Sequence, residues 1–255
     1  MLDADAFGNW LAPEAAPYGV LRDTLSARII ADNYLSALKT SLVGRATIVE
    51  GVTIAGVDFE TRRLISPDGS LDIAGRDIVF SAGFETFGLI QSLIGLDLGH
   101  GVKGQAAVFE VASSDALPVI YDDGAYVVPQ SATQCAVGST SEDDWCDAMT
   151  TDLQDVQSII ERAQALCPPL RTGRLLKLWA GVRPRCVAKD PIVGCLDAAR
   201  GLHIVTGGYK ISFGIAHRLA RRLVEELTGV EVLTDVPPRY TAAYHLSELQ
   251  GLEGP

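Results

Sequence analysis

The chain has 255 residues, 47% of them hydrophobic, enough for one large domain or two smaller ones with their own cores. A formal charge of -11 excludes nucleic acid and anionic membrane surfaces as partners, since both are bound by a basic face that displaces counterions. Cysteines 135, 146, 167, 186 and 195 form no Cys-x-x-Cys pair and leave one over in any complete disulfide scheme, which favours a reducing compartment. The acidic stretch Met1 to Trp10 lacks the basic flank and apolar run of a secretory signal, and no segment reaches the roughly 18 apolar residues of a membrane span, so the expected location is the cytoplasm.

In chain order, Leu25, Ile29, Ile30, Tyr34, Leu35 and Leu38 fall at helical spacing and predict an amphipathic helix from Thr24 to Lys39, stopped at Val43-Gly44. Ala46 to Val49, Thr53 to Glu60 and Leu71 to Ile73 read as strands, with turn residues at Ser66 to Gly69. Ile78-Val79-Phe80, running into Ser81-Ala82-Gly83, has the pattern of a strand buried on both faces, and a helix is expected from Phe84 to Ile94.

The pattern then turns to strands, at Lys103 to Val111, Val119 to Asp122, Ala125 to Val128 and Gln134 to Gly138, with Asp123-Gly124 as a hairpin signal. Thr151 and Gln154 form a capping box for a helix that carries Leu153, Val156, Ile160 and Ala163 on one face and ends at Cys167-Pro168-Pro169. A strand from Leu175 to Trp179 leads into Arg183, another spans Leu202 to Thr206, and after Gly207-Gly208 a helix runs from Phe213 to Leu227. The middle β region reads as an insertion between two parts of an α/β layer.

A strand, two glycines and a helix start can bind an electron-rich or anionic ligand, because the first-turn N–H groups are unpaired and glycine admits a close approach. Alone, the pattern is more often a tight turn. An arginine such as Arg183 grips a carboxylate through two parallel hydrogen bonds, although a lone Arg-Pro is more often a structural ion pair. Tyr126 on a strand is more often a packing residue. No Gly-x-Ser-x-Gly elbow or phosphate-binding Walker loop occurs. His100, His203, His217 and His245 are scattered with no zinc-type spacing, so no metal site is expected, and His203 reads as a satisfied polar group on a core strand.

The runs Gly181-Val182-Arg183-Pro184 and Gly201-Leu202-His203-Ile204-Val205-Thr206-Gly207-Gly208-Tyr209-Lys210 together resemble the C-terminal signature of the FAD-dependent D-amino-acid oxidase superfamily, in its glycine oxidase and sarcosine oxidase branches. The resemblance runs from about Tyr18 to Gly229. It implies that Gly207, Gly208, Tyr209 and Gly214 lie beside the flavin, that Ser81, Ala82 and Gly83 end a strand passing close to it, and that Val52 touches the adenine. It also implies that Arg183, helped by Lys210, holds the substrate carboxylate, with Tyr126 on a substrate-domain strand. Hydride would pass from the substrate Cα to non-covalently bound FAD. The histidine usual between the two glycines is absent here.

The family normally opens with a strand, Gly-x-Gly-x-x-Gly and a helix that cradle the pyrophosphate. No such unit is expected: neither the glycines at 181, 194, 201, 207, 208 and 214 nor Gly95, Gly99, Gly101 and Gly104 are read as fitting it. The expected fold is mixed α/β, an incomplete Rossmann-like FAD-binding layer with an inserted antiparallel-sheet substrate domain. Residues 1–96 and 181–255 would belong to the FAD-binding domain and 97–180 to the insertion. The function implied is a FAD-dependent oxidoreductase acting on amines or amino acids. The alternatives are a truncated or inactive member of the fold, or one subunit of a split oxidase whose dinucleotide-binding unit is on a separate chain.

Overall fold

The computed structural model describes residues 4–25, 27–112, 117–230 and 235–252. The elements are α1 (Ala31–Leu42), β1 (Gly56–Asp58), β2 (Arg63–Ile65), β3 (Ile78–Phe80), α2 (Glu85–Ile94), β4 (Gly99–Glu110), β5 (Ile120–Asp122) and β6 (Ala125–Ser131). There follow β7 (Gln134–Gly138), α3 (Leu153–Leu166), β8 (Arg174–Cys186), β9 (Ile192–Asp197), β10 (Leu202–Thr206), α4 (Ser212–Thr228) and α5 (Ala242–Leu252). Two compact units emerge, one from residues 1–45 and 103–182 and the other from residues 46–102 and 183–255. No helix among the described residues is long and apolar enough to cross a membrane.

The first unit is built on a sheet of order β5-β6-β7-β4-β8, to which β4 and β8 contribute their portions after Val102 and before Arg183. The β5–β6 turn puts Asp123 at φ 40° and Gly124 at φ 90°, the two positive angles of the hairpin turn expected there. Phe109, Val127, Val137, Val156, Ile160 and Leu170 form its core, and Trp10 joins them while its indole N–H donates to Pro118 O at 2.9 Å. The helix expected from Thr24 begins only at Ala31. The β-branched pair Ile29-Ile30 favours extended backbone, and Ile30 is the N-cap at φ -85°, ψ 99°.

The cap of α3 also differs from expectation: Asp152, not Thr151, accepts the Gln154 N–H at 2.8 Å. Asp152 is held there by Gln105, a fully buried side chain on β4 whose Oε1 accepts the Asp152 N–H at 2.7 Å. The Gln105 Nε2 donates to Asp155 Oδ2 at 2.9 Å and to Glu142 Oε1 at 3.1 Å, so every polar atom of the amide is used.

In the second unit β10 is central, parallel to β3 on one side and antiparallel to β9 on the other. Ile78, Phe80, Ile192, Leu202 and Ile204 pack with Phe87 and Ile90 of α2 on one face, while Val193 meets Leu219 and Leu223 of α4 in a second cluster. β3 is not covered on both faces as expected. Ile78 and Phe80 are buried, whereas Val79 between them is 39% exposed.

The strand expected at Thr53 to Glu60 shortens to β1, and β2, which the sequence reading did not mark, pairs with it antiparallel. Ala46 to Val49 form no strand, and Leu71 to Ile73 run beside β2 through the Leu64 N–H to Ile73 O bond without becoming one. The sequence reading had no strand at β9 and no helix at α5. Contrary to the sequence reading, Gly99, Gly101 and Gly104 do have the Gly-x-Gly-x-x-Gly spacing, but they lie along β4, an extended strand, and make no phosphate-binding turn.

Candidate functional site

Because β3 and β10 are parallel neighbours, with Ile78 beside Leu202 and Phe80 beside Ile204, their C-terminal ends leave the sheet at the same edge. That edge is where open α/β sheets place their ligands. The turn Ser81 to Gly83 follows β3 and the turn Gly207-Gly208 follows β10. The Thr206 hydroxyl donates to Gly83 O at 2.8 Å and ties the two turns together, while the Ala82 N–H donates to Thr86 Oγ1 at 2.9 Å where α2 begins. Ser81 and Ala82 are exposed.

The glycine turn is tightly determined. Gly207 sits at φ 78°, and a Cβ there would lie 2.2 Å from Cys186 Sγ at the end of β8. A Cβ on Gly208 would come within 2.5 Å of Ser212 Oγ, so this position too requires glycine. Tyr209 follows at φ 45°, a left-handed angle of the kind that gathers at functional sites. A short 3-10 turn, Tyr209–Ile211, then enters α4, whose N-cap Ile211 supplies no side-chain hydrogen bond. At Gly214, in the first turn of α4, a Cβ would meet nothing within 4 Å.

Cationic groups gather on Tyr209: the Arg185 guanidinium carbon lies 5.6 Å and Lys210 Nζ 5.5 Å from the ring centroid. Arg183 is half-buried two residues before Arg185 on β8, a spacing that places both on one strand face. The structure thus brings the end of β8 against the glycine turn through Cys186 and Arg185. Arg185 was missed by the sequence reading, and its signal was the Arg-x-Arg alternation. Cys186 is buried, which pushes its thiol up to about 12, helped by the negative charge of Asp190, so it stays protonated and is no nucleophile.

A hollow of about 470 Å³ runs along β3, lined by Val79, Ser81, Ala82, Ile54, Leu64 and Leu89 among others. Among the described residues β3 has a strand partner on one side only, β10. Val52 follows the left-handed Gly51 in the segment before β1 and is not one of the lining residues. Tyr126 belongs to the first unit, where its ring lies tilted by 39° against that of Tyr121 with centroids 4.5 Å apart. A second hollow, about 480 Å³ beside α5, is lined by His245, Val187 and Glu248 and contains none of the expected site residues. His203 departs from expectation, since its buried Nδ1 has no hydrogen-bond partner.

The profile of the family described as FAD dependent oxidoreductase matches residues 1–225. The chain belongs to that family. It is 29% identical over 210 residues to a glycine oxidase of Pseudomonas putida, covering 80% of this chain and 56% of that protein. It is 25% identical to the hydrogen cyanide synthase subunit HcnC of Pseudomonas aeruginosa, over 78% of this chain and 48% of that one. In three dimensions it is similar to an iminodiacetate oxidase from Chelativorans, with TM-score 0.71, 20% identity, and coverage of 81% of this chain and 56% of that one. The chain spans about half the length of the curated relatives it matches.

The family's FAD can be tested against this geometry. Two glycine-bearing turns at one sheet edge, an uncapped helix start and an open Gly214 fit the approach of a flat, electron-rich ring system. The pyrophosphate cradle is a different matter, since among the described residues the Gly99 to Gly104 spacing lies along a strand and no strand-turn-helix unit carries it.

Proposed function

We propose that this chain forms the flavin-ring and substrate-carboxylate side of a FAD-dependent oxidoreductase acting on amino acids or related amines. The reading is carried by the convergence of the Ser81 to Gly83 turn, the Gly207-Gly208 turn and the Arg183 to Cys186 end of β8 at one edge of the β3-β10-β9 sheet. The glycine oxidase relatives motivate the substrate class.

FAD, when bound, supplies the two-electron acceptor. The chain's residues then have distinct tasks. Ser81, Ala82, Gly83, Gly207, Gly208, Tyr209 and Gly214 present backbone and open space to the ring, with Val52 toward the adenine. Arg183 pairs with the substrate carboxylate and fixes the Cα–H, while Lys210 adds positive charge nearby. Arg185, set over the Tyr209 ring, positions that side chain.

A second reading has its own observation. β3 lacks a strand partner on one side among the described residues and borders a largely apolar hollow, which suits docking of a dinucleotide-binding unit carried by polypeptide outside these 255 residues. A relative whose printed name is a subunit supports that form of assembly.

The test is FAD titration of the purified chain, alone and together with any Gly-x-Gly-x-x-Gly polypeptide encoded beside it, followed by anaerobic addition of glycine, sarcosine or D-alanine. Flavin uptake and bleaching by the amino acids, but not by methylamine, is the expected result. A preparation that takes up no flavin in either form overturns the reading.

A further inference from the structure

The face of the β3-β10-β9 sheet that packs under α4 carries a group of side chains unused by the flavin site. Cys195 on β9 and His203 on β10 are directly opposite in the antiparallel ladder, so both project from the same face. Glu226, in the last turn of α4, reaches down to them, and its Oε1 accepts the Cys195 N–H at 2.8 Å. The carboxylate fits because Gly194 is bare: at φ 132°, a Cβ there would lie 3.1 Å from Glu226 Oε2. One ligand atom each from Cys195, His203 and Glu226 lies within 4.8 Å of the others, and among the described residues no other three such groups come this close.

The imidazole makes this more than a chance cluster. The His203 side chain is 9% exposed, and its Nε2 lies 3.6 Å from Asp77 Oδ1. Its Nδ1 is buried with no hydrogen-bond partner, an unfavourable condition for a neutral polar atom. A histidine with a carboxylate near one nitrogen and the other nitrogen unclaimed resembles the arrangement around a bound metal, where a carboxylate closes in to orient the ring. Asp77 is itself held by Arg76, Nε to Oδ2 at 2.7 Å.

We propose that Cys195 Sγ, His203 Nδ1 and Glu226 Oε2 bind a zinc-class divalent cation, with Asp77 orienting the histidine and water completing a tetrahedron. The donor set of one thiolate, one imidazole and one carboxylate matches zinc, a borderline-soft ion without redox chemistry. Bonds of roughly 2.0–2.3 Å bring ligands to about 3.5 Å from one another, so the trio contracts by about 1 Å, within reach of the exposed Glu226 side chain. Binding replaces the Cys195 S–H bond by a sulfur–metal bond and releases that proton to solvent. The ion pins α4 to β9 and β10, and α4 is the helix that leaves the Gly207-Gly208 turn.

The experiment is titration of the metal-stripped chain with Zn²⁺ in competition with a chromophoric chelator, repeated with Co²⁺ as a spectroscopic probe. The expected result is one equivalent bound, a cobalt–thiolate charge-transfer band, and a melting temperature raised by roughly 5–10 °C at a hundredfold excess over Kd. Cys195→Ser should abolish the thiolate band, and Glu226→Gln, which keeps an amide oxygen for the Cys195 N–H and leaves the fold intact, should weaken Zn²⁺ binding at least tenfold. Absence of saturable binding, a cobalt spectrum without the thiolate band, or Glu226→Gln binding as tightly as the wild type overturns the proposal. None of these readouts depends on flavin.

Discussion

Gly207→Ala is the most informative single change, because two separable costs meet at one atom. The new methyl group sits on backbone at φ 78°, which costs a non-glycine residue about 1–2 kcal/mol, and it lies 2.2 Å from Cys186 Sγ, an overlap that forces repacking at about 1–3 kcal/mol. Together the loss is about 2–5 kcal/mol. The two parts come apart in a double-mutant cycle: with Cys186→Ala the sulfur is gone and the next contacts, Pro191 Cα at 3.4 Å and Asp190 O at 3.5 Å, are ordinary. The double variant should recover about 1–3 kcal/mol relative to additivity, leaving the backbone cost in place. Urea unfolding of the four proteins, monitored by tryptophan fluorescence with unchanged m-values, gives the coupling. A cost below about 1 kcal/mol for Gly207→Ala, or additive behaviour in the cycle, refutes the packing of β8 against the glycine turn.

Three further outcomes are expected. In the flavin-loaded enzyme, Arg183→Lys should raise KM for carboxylate-bearing substrates about tenfold or more while sparing flavin content, since an ammonium cannot reproduce the guanidinium fork; unchanged kinetics would remove Arg183 from the carboxylate. Gln105→Ala should destabilise the chain by about 2–4 kcal/mol, more than the roughly 1 kcal/mol expected for Asp152→Ala, because it leaves a cavity and strips partners from several polar groups at once; the comparison of urea midpoints decides it. Burial lowers the pKa of His245, outweighing its contact with Pro191 O at 3.1 Å and the nearby Asp190. The unfolded chain therefore binds this proton more readily, so the stability His245 contributes is present above its unfolded value near 6.5 and is lost as pH falls below it toward the folded pKa. Wild type should lose more stability than His245→Gln between about pH 7.5 and 5, and parallel curves would contradict the burial argument.

Much of the element pattern was legible in the residues. β3, β7 and β10 have the bounds their apolar runs suggest, α2 and α4 agree to within a residue, and Asp123-Gly124 makes the turn its chemistry requires. These are local matters of periodicity, capping and left-handed angles. The misreadings arose where another part of the chain decides. Thr151 and Gln154 satisfy a capping rule, but Asp152 took the cap because Gln105, far away in sequence, holds its N–H. The helix expected from Thr24 is the exception and a local one: it begins about two turns late because of Ile29-Ile30, a β-branched preference that the helical spacing of the apolar residues had hidden.

The same division holds for the chemistry. The glycine turn and Arg183 could be marked as candidates from the sequence, since glycine at a strand end and a guanidinium in a motif are visible one residue at a time. Residues alone could not say that β3 and β10 are parallel neighbours, that Arg185 lies over Tyr209, or that Val79 faces outward. Strand pairing and register are long-range choices made by burying apolar surface, and they carry no local signature. Cys195, His203 and Glu226 are the clearest case. Their spacing in the chain matches no metal motif, and only the antiparallel β9–β10 ladder with α4 folded over it brings a thiol, an imidazole and a carboxylate to a common point.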